Sequence, residues 1–371
     1  MNYDPEARRD TPLALKLKQS IASGGPLSVE GFMHACLYDP DHGYYVKRPA
    51  IGAAGDFITG PEISQVFGEL IGLWSAVVWQ QMGSPARVRL VELGPGRGTL
   101  MADALRATRV VPAFHAAIDV ELIETNTVLV GLQRQVLGEA GVPIEWTDRF
   151  DPRQTAPKPS IVIGNEFLDT IPVGQHILAG DGWRERHVTF DAAGRLAFGI
   201  GPLCHRANAE VETPTMPSAI RESRLQPEII EAIASLTRQV PVATLLIDYG
   251  HLAPAFGDTL QAVRDHRFEH PLTSPGEADL TAQVDFHDIG AHARSRGLAV
   301  DGPVTQAEFL GAIGIAERAS RLMSANPREA NGLELGVARL MSPTGMGNRF
   351  KAIGLRSPSL PLLPGFSPSR R

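Results

Sequence analysis

The stretch VRLVELGPGRGTL at residues 88–100 constrains the fold more than any other part of the chain. A short apolar run ends at an acid, three glycines follow at alternate positions, and a helix-compatible segment comes next. A strand that enters a glycine-rich turn and then a helix is typical of a parallel α/β sheet that binds a nucleotide-like ligand. The spacing of the glycines must then indicate which ligand.

The pattern along the chain extends this sheet. Strand-like runs alternate with helical patterns, and the successive segments are 88–93, 98–107, 118–124, 126–138, 144–148, 160–167 and 244–250. After Pro172 the pattern changes to strand-like runs separated by turns that contain glycine, which indicates hairpins. We therefore predict an α/β fold with a Rossmann-like parallel sheet, an N-terminal helical segment and a hairpin-rich insertion.

Three domains follow from these changes of pattern. Residues 1–85 form an N-terminal helical segment, and 86–356 form the sheet domain, with the insertion at about 174–240. The Pro/Ser-rich end, 357–371, has no helical or strand periodicity and is expected to be a flexible tail.

The helix expected at 61–82 carries an apolar stripe with a 3.6-residue period. The side chains of such a stripe most often pack in the hydrophobic core. Trp74 and Trp79 on it could also extend to an interface, so a homodimer is an option.

Composition excludes several classes of function. The net charge of −6 offers no basic footprint for nucleic acid, and no stretch approaches the 18–20 apolar residues of a membrane span. Two cysteines are too few for a disulfide framework, which favours a reducing compartment. The N-terminus lacks the apolar core of a signal peptide, so we expect a cytoplasmic protein.

The glycine spacing separates three nucleotide-like cofactors. A dinucleotide turn needs G-x-G-x-x-G, but the third glycine is Gly98 and position 99 is Thr99. The phosphate loop of ATPases is excluded because no G-K-[ST] follows. What remains is E-x-G-x-G-x-G, from Glu92 through Gly94 and Gly96 to Gly98. It resembles the first motif of Rossmann-like (class I) methyltransferases that use S-adenosylmethionine.

Acids at the ends of three successive strands support this cofactor. Glu92 can hold charge near the cationic ligand, and Glu124 lies where a Rossmann-like fold accepts both ribose hydroxyls. Asp148 ends the third strand, where a carboxylate can accept from the adenine amino group. Any one of these acids alone could simply terminate a strand, but three beside one glycine loop favour a binding site.

The substrate side is predicted at IGNEFLDTIPV, residues 163–173. Glu166 and Asp169 are three apart and would share one face of a first helical turn. Two carboxylates near a sulfonium suit a guanidinium, which pairs bidentately and is thereby oriented for attack on the methyl group. Alternatively, both acids only stabilise a helix start. Asn165, directly before them, is counted among the cofactor-binding candidates.

Five segments together resemble the MidA-like family over roughly residues 12–356. They are GDFITGPEISQVFGELIG, VELGPGRGTLMAD, IGNEFLDTIPV, DYGH and DLTAQVDF. The resemblance implies protein arginine methylation, with symmetric dimethylation of a respiratory complex I subunit by the mitochondrial members. Because no transit peptide is visible, the chain resembles a bacterial member of the family.

The resemblance also implies that the loop at 55–64 lies over the cofactor. Its binding or closing candidates are Asp56, Phe57, Thr59, Pro61 and Glu62. Without the resemblance, the same segment is only a loop that enters a helix.

Other functions stay open at this point. HRFEH at 266–270 matches a zinc-peptidase motif but adjoins a strand-like run and Pro271, so no metal site is expected. The chain could methylate another protein side chain or a small molecule, or it could be an assembly chaperone with a vestigial cofactor site. An oxidoreductase is the weakest alternative.

Overall fold

A computed structural model describes residues 3–47, 59–151, 157–204, 219–223 and 228–367. The chain forms two compact units. The first comprises Met1–Phe57, Asp169–Pro227 and Ala253–Asp285, and the second comprises Ile58–Leu168, Glu228–Leu252 and Phe286–Arg371.

The second unit carries the helices and strands of the predicted sheet domain. In chain order they are α4 (Gly60–Ile63), α5 (Gln65–Gln81), β2 (Val88–Leu93), α6 (Thr99–Thr108), α7 (Pro112–Ala117), β3 (Ile118–Ile123), α8 (Thr127–Val136), β4 (Ile144–Thr147), β5 (Ser160–Asn165), α9 (Glu228–Thr237), β10 (Val242–His251), α10 (Phe286–Ser295), β15 (Ala299–Thr305), α11 (Gln306–Ala312), α12 (Ile315–Ala325), α13 (Ala330–Met341), α14 (Met346–Arg349) and β16 (Phe350–Arg356).

Seven strands of this unit form one sheet in the order β15-β16-β10-β5-β2-β3-β4. The five strands from β10 to β4 are parallel, whereas β16 and β15 run antiparallel at the other end. Every residue of β2 is buried, as expected for a parallel strand covered on both faces. The Rossmann-like α/β prediction is confirmed, and the glycine loop follows β2, the middle one of the five parallel strands.

Helices α5 and α6 pack closely in the second unit. A Cβ atom at Gly72 would lie 2.5 Å from the carbonyl oxygen of Ala104, so only glycine allows this approach. This packing explains why the N-terminal segment of the first unit reaches Phe57 and not the predicted boundary at 85. The buried side chains of α5 belong to the hydrophobic core of the second unit.

The helix predicted over 61–82 is interrupted. Ser64 is extended at φ −157° and ψ 130°, which ends α4 and begins α5, and its side chain accepts from the backbone N–H of Val66 at 3.3 Å. A serine that caps a helix start satisfies an otherwise unpaired N–H, and this explains the break.

The suggested tryptophan interface is not supported. Trp74 and Trp79 retain 2% and 6% of their exposure and pack in the core of their own unit. Their indole N–H groups donate to the carbonyl oxygens of Pro364 and Pro85. The homodimer therefore stays a prediction, and these two tryptophans do not support it.

The flexible tail predicted at 357–371 is wrong for its described part. Leu360, Leu363 and Phe366 are buried in the core of the second unit. Burial of these apolar side chains favours a fixed position for the segment, and periodicity could not show this.

The first unit contains the N-terminal helices and the predicted hairpins. Its elements are α1 (Pro12–Gly24), β1 (Leu27–Ser28), α2 (Val29–Tyr38), α3 (Tyr44–Lys47), β6 (Gly174–Ala179), β7 (Gly182–Phe190), β8 (Leu196–Leu203), β9 (Ile220–Ser223), β11 (Gln261–Arg264), β12 (Arg267–Glu269), β13 (Asp279–Thr281) and β14 (Val284–Asp285).

Strands β6, β7 and β8 form consecutive antiparallel hairpins, which confirms the hairpin-rich insertion. The segment HRFEH lies in another hairpin, because β11 and β12 pair around Asp265 and His266, both at positive φ. No described helix is long and apolar enough to cross a membrane.

Candidate functional site

The glycine loop after β2 has a backbone that few other residues could adopt. Gly94, Gly96 and Gly98 have φ values of +61°, +56° and +82°. A Cβ at Gly94 would meet the ring of Phe167 at 3.1 Å, and one at Gly98 would meet Gln133 at 3.3 Å. Positive φ and close neighbours together require glycine, and the loop can thus present bare backbone to a ligand.

Gly98 is also the N-cap of α6, and it offers no side chain to the first helical turn. The N–H groups at such a helix start favour a negatively charged group, such as a carboxylate of a ligand.

Glu92, the fifth residue of β2, has an unusual environment. The side chain is 3% exposed, and among the described residues its Oε2 atom has no hydrogen-bond partner. Burial is the main cause that raises the pKa of Glu92 to about 8, and the negative charge of the nearby Glu124 contributes to the same shift. A buried acid without a cation is unfavourable unless a ligand supplies the charge. S-adenosylmethionine carries a net positive charge, so the chemistry of this acid fits that cofactor.

Glu124 follows β3, and both oxygens of its carboxylate accept hydrogen bonds. Oε1 accepts from the backbone N–H of Asn126 at 2.8 Å, and Oε2 accepts from the amide of Gln133 at 3.2 Å. Burial raises the pKa of Glu124, while these hydrogen bonds act in the opposite direction. The acid thus points in a fixed direction at the edge of the sheet where β2 ends.

Asp148 directly follows β4 and is exposed. The backbone N–H of Glu124 donates to the carbonyl of Thr147 at 2.9 Å, so the ends of β3 and β4 are aligned. Three predicted acids therefore occupy adjacent strand ends within one unit.

The segment after β5 differs from the predicted helical turn. Glu166 has φ +52°, in the left-handed region, and the short 3₁₀ helix Leu168–Thr170 begins only after it. The predicted first turn of an α-helix carrying both acids is therefore wrong. Glu166 belongs to the second unit and Asp169 to the first.

Glu166 is hydrogen-bonded to its neighbours. Its Oε1 accepts from the backbone N–H of Gly60 at 2.8 Å and from the side-chain amide of Asn165 at 3.2 Å. The short helix α4, with the buried Pro61, is thereby tied to the end of β5. Asn165 thus contacts the predicted substrate acid.

Glu62 ties the same segment to the glycine loop. Its Oε1 accepts from the hydroxyl of Thr99, the first residue of α6, at 2.5 Å. Thr59 is the N-cap of α4 without a side-chain hydrogen bond to that helix. Asp56 and Phe57, the other two candidates from the resemblance, lie outside the described residues.

Asp169 is 7% exposed in the first unit. Nearby, the hydroxyl of Tyr45 donates to Oδ1 of Asp279 at 2.9 Å. Burial raises the pKa of Tyr45 well above its usual range, and the charges of Asp279 and Asp169 add to this. Sequence reasoning missed Asp279, although it opens the segment DLTAQVDF that carried the resemblance.

Gln133 is the second residue that sequence reasoning missed. It is fully buried on α8 beside the glycine loop. The only sequence signal was a polar side chain on the apolar face of an amphipathic helix.

A parallel Rossmann-like sheet with this glycine loop and buried strand-end acid defines an S-adenosylmethionine-dependent methyltransferase. Comparison with known proteins agrees. Residues 70–304 match the family model described as "Putative S-adenosyl-L-methionine-dependent methyltransferase". The chain belongs to this family, the MidA-like family that its motifs predicted.

Curated relatives and solved structures extend the similarity over almost the whole chain. The mitochondrial protein arginine methyltransferase NDUFAF7 of Rattus norvegicus is 33% identical, covering 95% of this chain and 86% of the relative. The Homo sapiens protein of that name is 34% identical, covering 95% and 85%. A Burkholderia thailandensis crystal structure with S-adenosyl-homocysteine has a TM-score of 0.82 at 24% identity and 97% coverage of both chains, which shows the shared fold.

The expectation of a cytoplasmic protein is wrong by this comparison, because the curated relatives are named as mitochondrial. That expectation came from the lack of a recognisable leader. A missing pattern carries no positive information about where a protein acts.

Proposed function

We propose that this methyltransferase modifies the guanidinium group of an arginine in a protein substrate. The observation that carries the proposal is the similarity to relatives named protein arginine methyltransferases, at 33–34% identity over 95% of the chain. By the family resemblance, the substrate is a subunit of respiratory complex I. A homodimer remains an option for the active form.

The proposed cofactor residues are Glu92, Gly94, Gly96, Gly98, Glu124, Asp148, Asn165, Thr59, Pro61 and Glu62. Glu92 would balance positive charge, Glu124 would accept from the ribose and Asp148 from the adenine. The described contacts of Glu124 and the loop glycines support these roles. S-adenosylmethionine supplies an electrophilic methyl carbon when it is bound.

Glu166 is the proposed substrate carboxylate. Its donors from Gly60 and Asn165 fix the side chain before a substrate arrives, which reduces the entropy lost on binding. A guanidinium paired with this carboxylate is oriented, and the charge that develops on nitrogen is stabilised until a proton leaves. Phe167, next in the chain, packs against Gly94, which keeps this acid near the glycine loop.

Asp169 is the second proposed substrate acid. It is buried and contributes to the negative charge around Tyr45. Such an environment favours a cation over a neutral amide. We therefore expect Asp169→Asn to raise KM for the protein substrate more than it lowers kcat.

A methyl-transfer assay tests the proposal. Purified protein, isotopically labelled S-adenosylmethionine and complex I subunits from a deletion strain are combined, and peptide mass spectrometry locates the label. We expect label on arginine and a loss of about 100-fold in rate for Glu166→Gln. Glu145→Gln is the matched control, because Glu145 is an exposed glutamate on β4.

Label on another side chain, or only on small molecules, would show that arginine is not the methyl acceptor. Full complex I assembly by the inactive Glu166→Gln variant would favour the chaperone alternative.

A further inference from the structure

Gln133 joins three parts of the second unit that meet beside the glycine loop. Its Nε2 donates to the carbonyl oxygen of Gly96 at 2.7 Å and to Oε2 of Glu124 at 3.2 Å. Its Oε1 accepts from the indole N–H of Trp146 on β4 at 2.9 Å. The side chain is fully buried, so water does not compete for these bonds.

Only an amide can satisfy all three neighbours. The carbonyl of Gly96 and the carboxylate of Glu124 need donors, while the indole of Trp146 needs an acceptor. A carboxylate at position 133 would meet two acceptors, and an apolar side chain would remove the hydrogen bonds to all three neighbours. Removing one partner from a buried hydrogen bond costs about 1–3 kcal/mol.

The contacts also fix the site in space. A Cβ at Gly98 would lie 3.3 Å from Cγ of Gln133, so this side chain packs against the loop as well as bonding to it. The second donor to Glu124 is the backbone N–H of Asn126, on the other carboxylate oxygen. Because each oxygen accepts a hydrogen bond, the orientation of the carboxylate plane is fixed.

We propose that Gln133 is a positioning residue for the ribose of the cofactor. It holds the Glu124 carboxylate and the glycine loop in the arrangement that accepts the two ribose hydroxyls, and it does so without contacting the cofactor itself. The inference rests on the proposed role of Glu124 in ribose binding. It does not depend on which substrate is methylated.

Ligand binding tests this coupling without any methyl transfer. Calorimetry gives Kd for S-adenosylhomocysteine and for its analogue lacking the 2′ and 3′ hydroxyls, with the wild type and Gln133→Met. We expect the variant to bind S-adenosylhomocysteine about 10-fold more weakly and the dideoxy analogue within about twofold of wild type.

Gln135→Met is the matched control. Gln135 is an exposed glutamine on the same helix, two residues away. Its replacement should change neither Kd. Tryptophan fluorescence adds a readout, because Gln133→Met removes the acceptor of Trp146, one of four tryptophans, whereas Gln135→Met does not.

Equal weakening of both ligands by Gln133→Met would overturn the proposal, because it would indicate a general packing defect. Unchanged binding of both would overturn it as well. If Gln133→Met does not fold, Trp146→Phe removes one of the three bonds, and we expect a loss of about threefold for the hydroxylated ligand alone.

Glu124→Gln tests the premise separately. If this variant retains wild-type affinity for both ligands, the ribose role of Glu124 fails, and the proposal for Gln133 fails with it. Failure of arginine methylation would leave all of these binding results unchanged.

Discussion

The loops that follow the neighbouring parallel strands β2 and β5 handle backbone strain and acidic charge in opposite ways. After β2, three glycines adopt positive φ, and Glu92, buried within β2 one residue before its end, has no partner for Oε2 among the described residues. After β5, a non-glycine residue, Glu166, adopts positive φ, and its carboxylate accepts hydrogen bonds from Gly60 and Asn165.

The difference separates two kinds of site. The glycines after β2 and the acid Glu92 near its end are both suited to contact a ligand. The energetic cost of burying Glu92 without a partner for Oε2 is therefore offset only when a ligand binds. In the β5 loop, hydrogen bonds to neighbouring residues offset the strain before any ligand arrives. We therefore expect the first loop to respond strongly to cofactor and pH, and the second to respond mainly to local substitutions.

The largest effect is expected from the charge of Glu92. Its pKa rises from 4.5 to about 8 on folding, so between these values the folded protein keeps a proton that the unfolded chain releases. The unfolding free energy therefore falls as pH rises from about 4.5 to 8, by about 5 kcal/mol at most. Glu92→Gln lacks this titration.

Urea denaturation of both proteins at pH 5, 6.5 and 8 checks the prediction. The stability of Glu92→Gln relative to wild type should increase at each step. A difference that does not change with pH would mean that Glu92 already has a counter-charge in the protein.

A smaller loss is expected from the backbone of the β2 loop. Gly94→Ala puts a Cβ at positive φ, 3.1 Å from Phe167, and should lower stability by about 1–3 kcal/mol. It should also weaken S-adenosylhomocysteine binding at least tenfold, as measured by calorimetry.

Gly131→Ala is the matched control for Gly94→Ala. Gly131 lies within α8, and a Cβ there would meet nothing within 4 Å. This substitution should raise stability by about 0.5–1 kcal/mol, because alanine favours a helix. A similar loss of stability at both positions would mean that the β2 loop requires glycine no more than α8 does.

The smallest effect is expected for the difference in stability between two replacements of Glu166. Both Glu166→Ala and Glu166→Gly remove the hydrogen bonds to Gly60 and Asn165, but glycine also relieves the left-handed backbone. We expect Glu166→Gly to be more stable than Glu166→Ala by about 1 kcal/mol in thermal denaturation. The opposite order would mean that the left-handed backbone of Glu166 carries no strain.

Sequence periodicity predicted the parallel strands well, because each strand is a local apolar run bounded by turn residues. It failed where tertiary contacts decide. Ser64 breaks one helix by capping the next, and Leu363 and Phe366 bury a tail that carries no periodic pattern. Helices α12 and α13 were not predicted either, although α12 is amphipathic.

The candidate site divides in the same manner. The glycine spacing and the acids Glu92 and Glu124 could be found from the sequence, since each directly precedes or follows a strand end. Gln133 could not, because its three partners lie 9 to 37 residues away along the chain and meet only in the folded unit.

The sequence by itself determined the sheet, the glycine turn and the class of cofactor, because strand patterns and turn residues act over a few neighbouring positions. Only the tertiary structure decided the left-handed Glu166, the buried tail and the contacts of Gln133. Their energies come from partners that are distant in sequence, and folding alone brings those partners within hydrogen-bonding or packing distance.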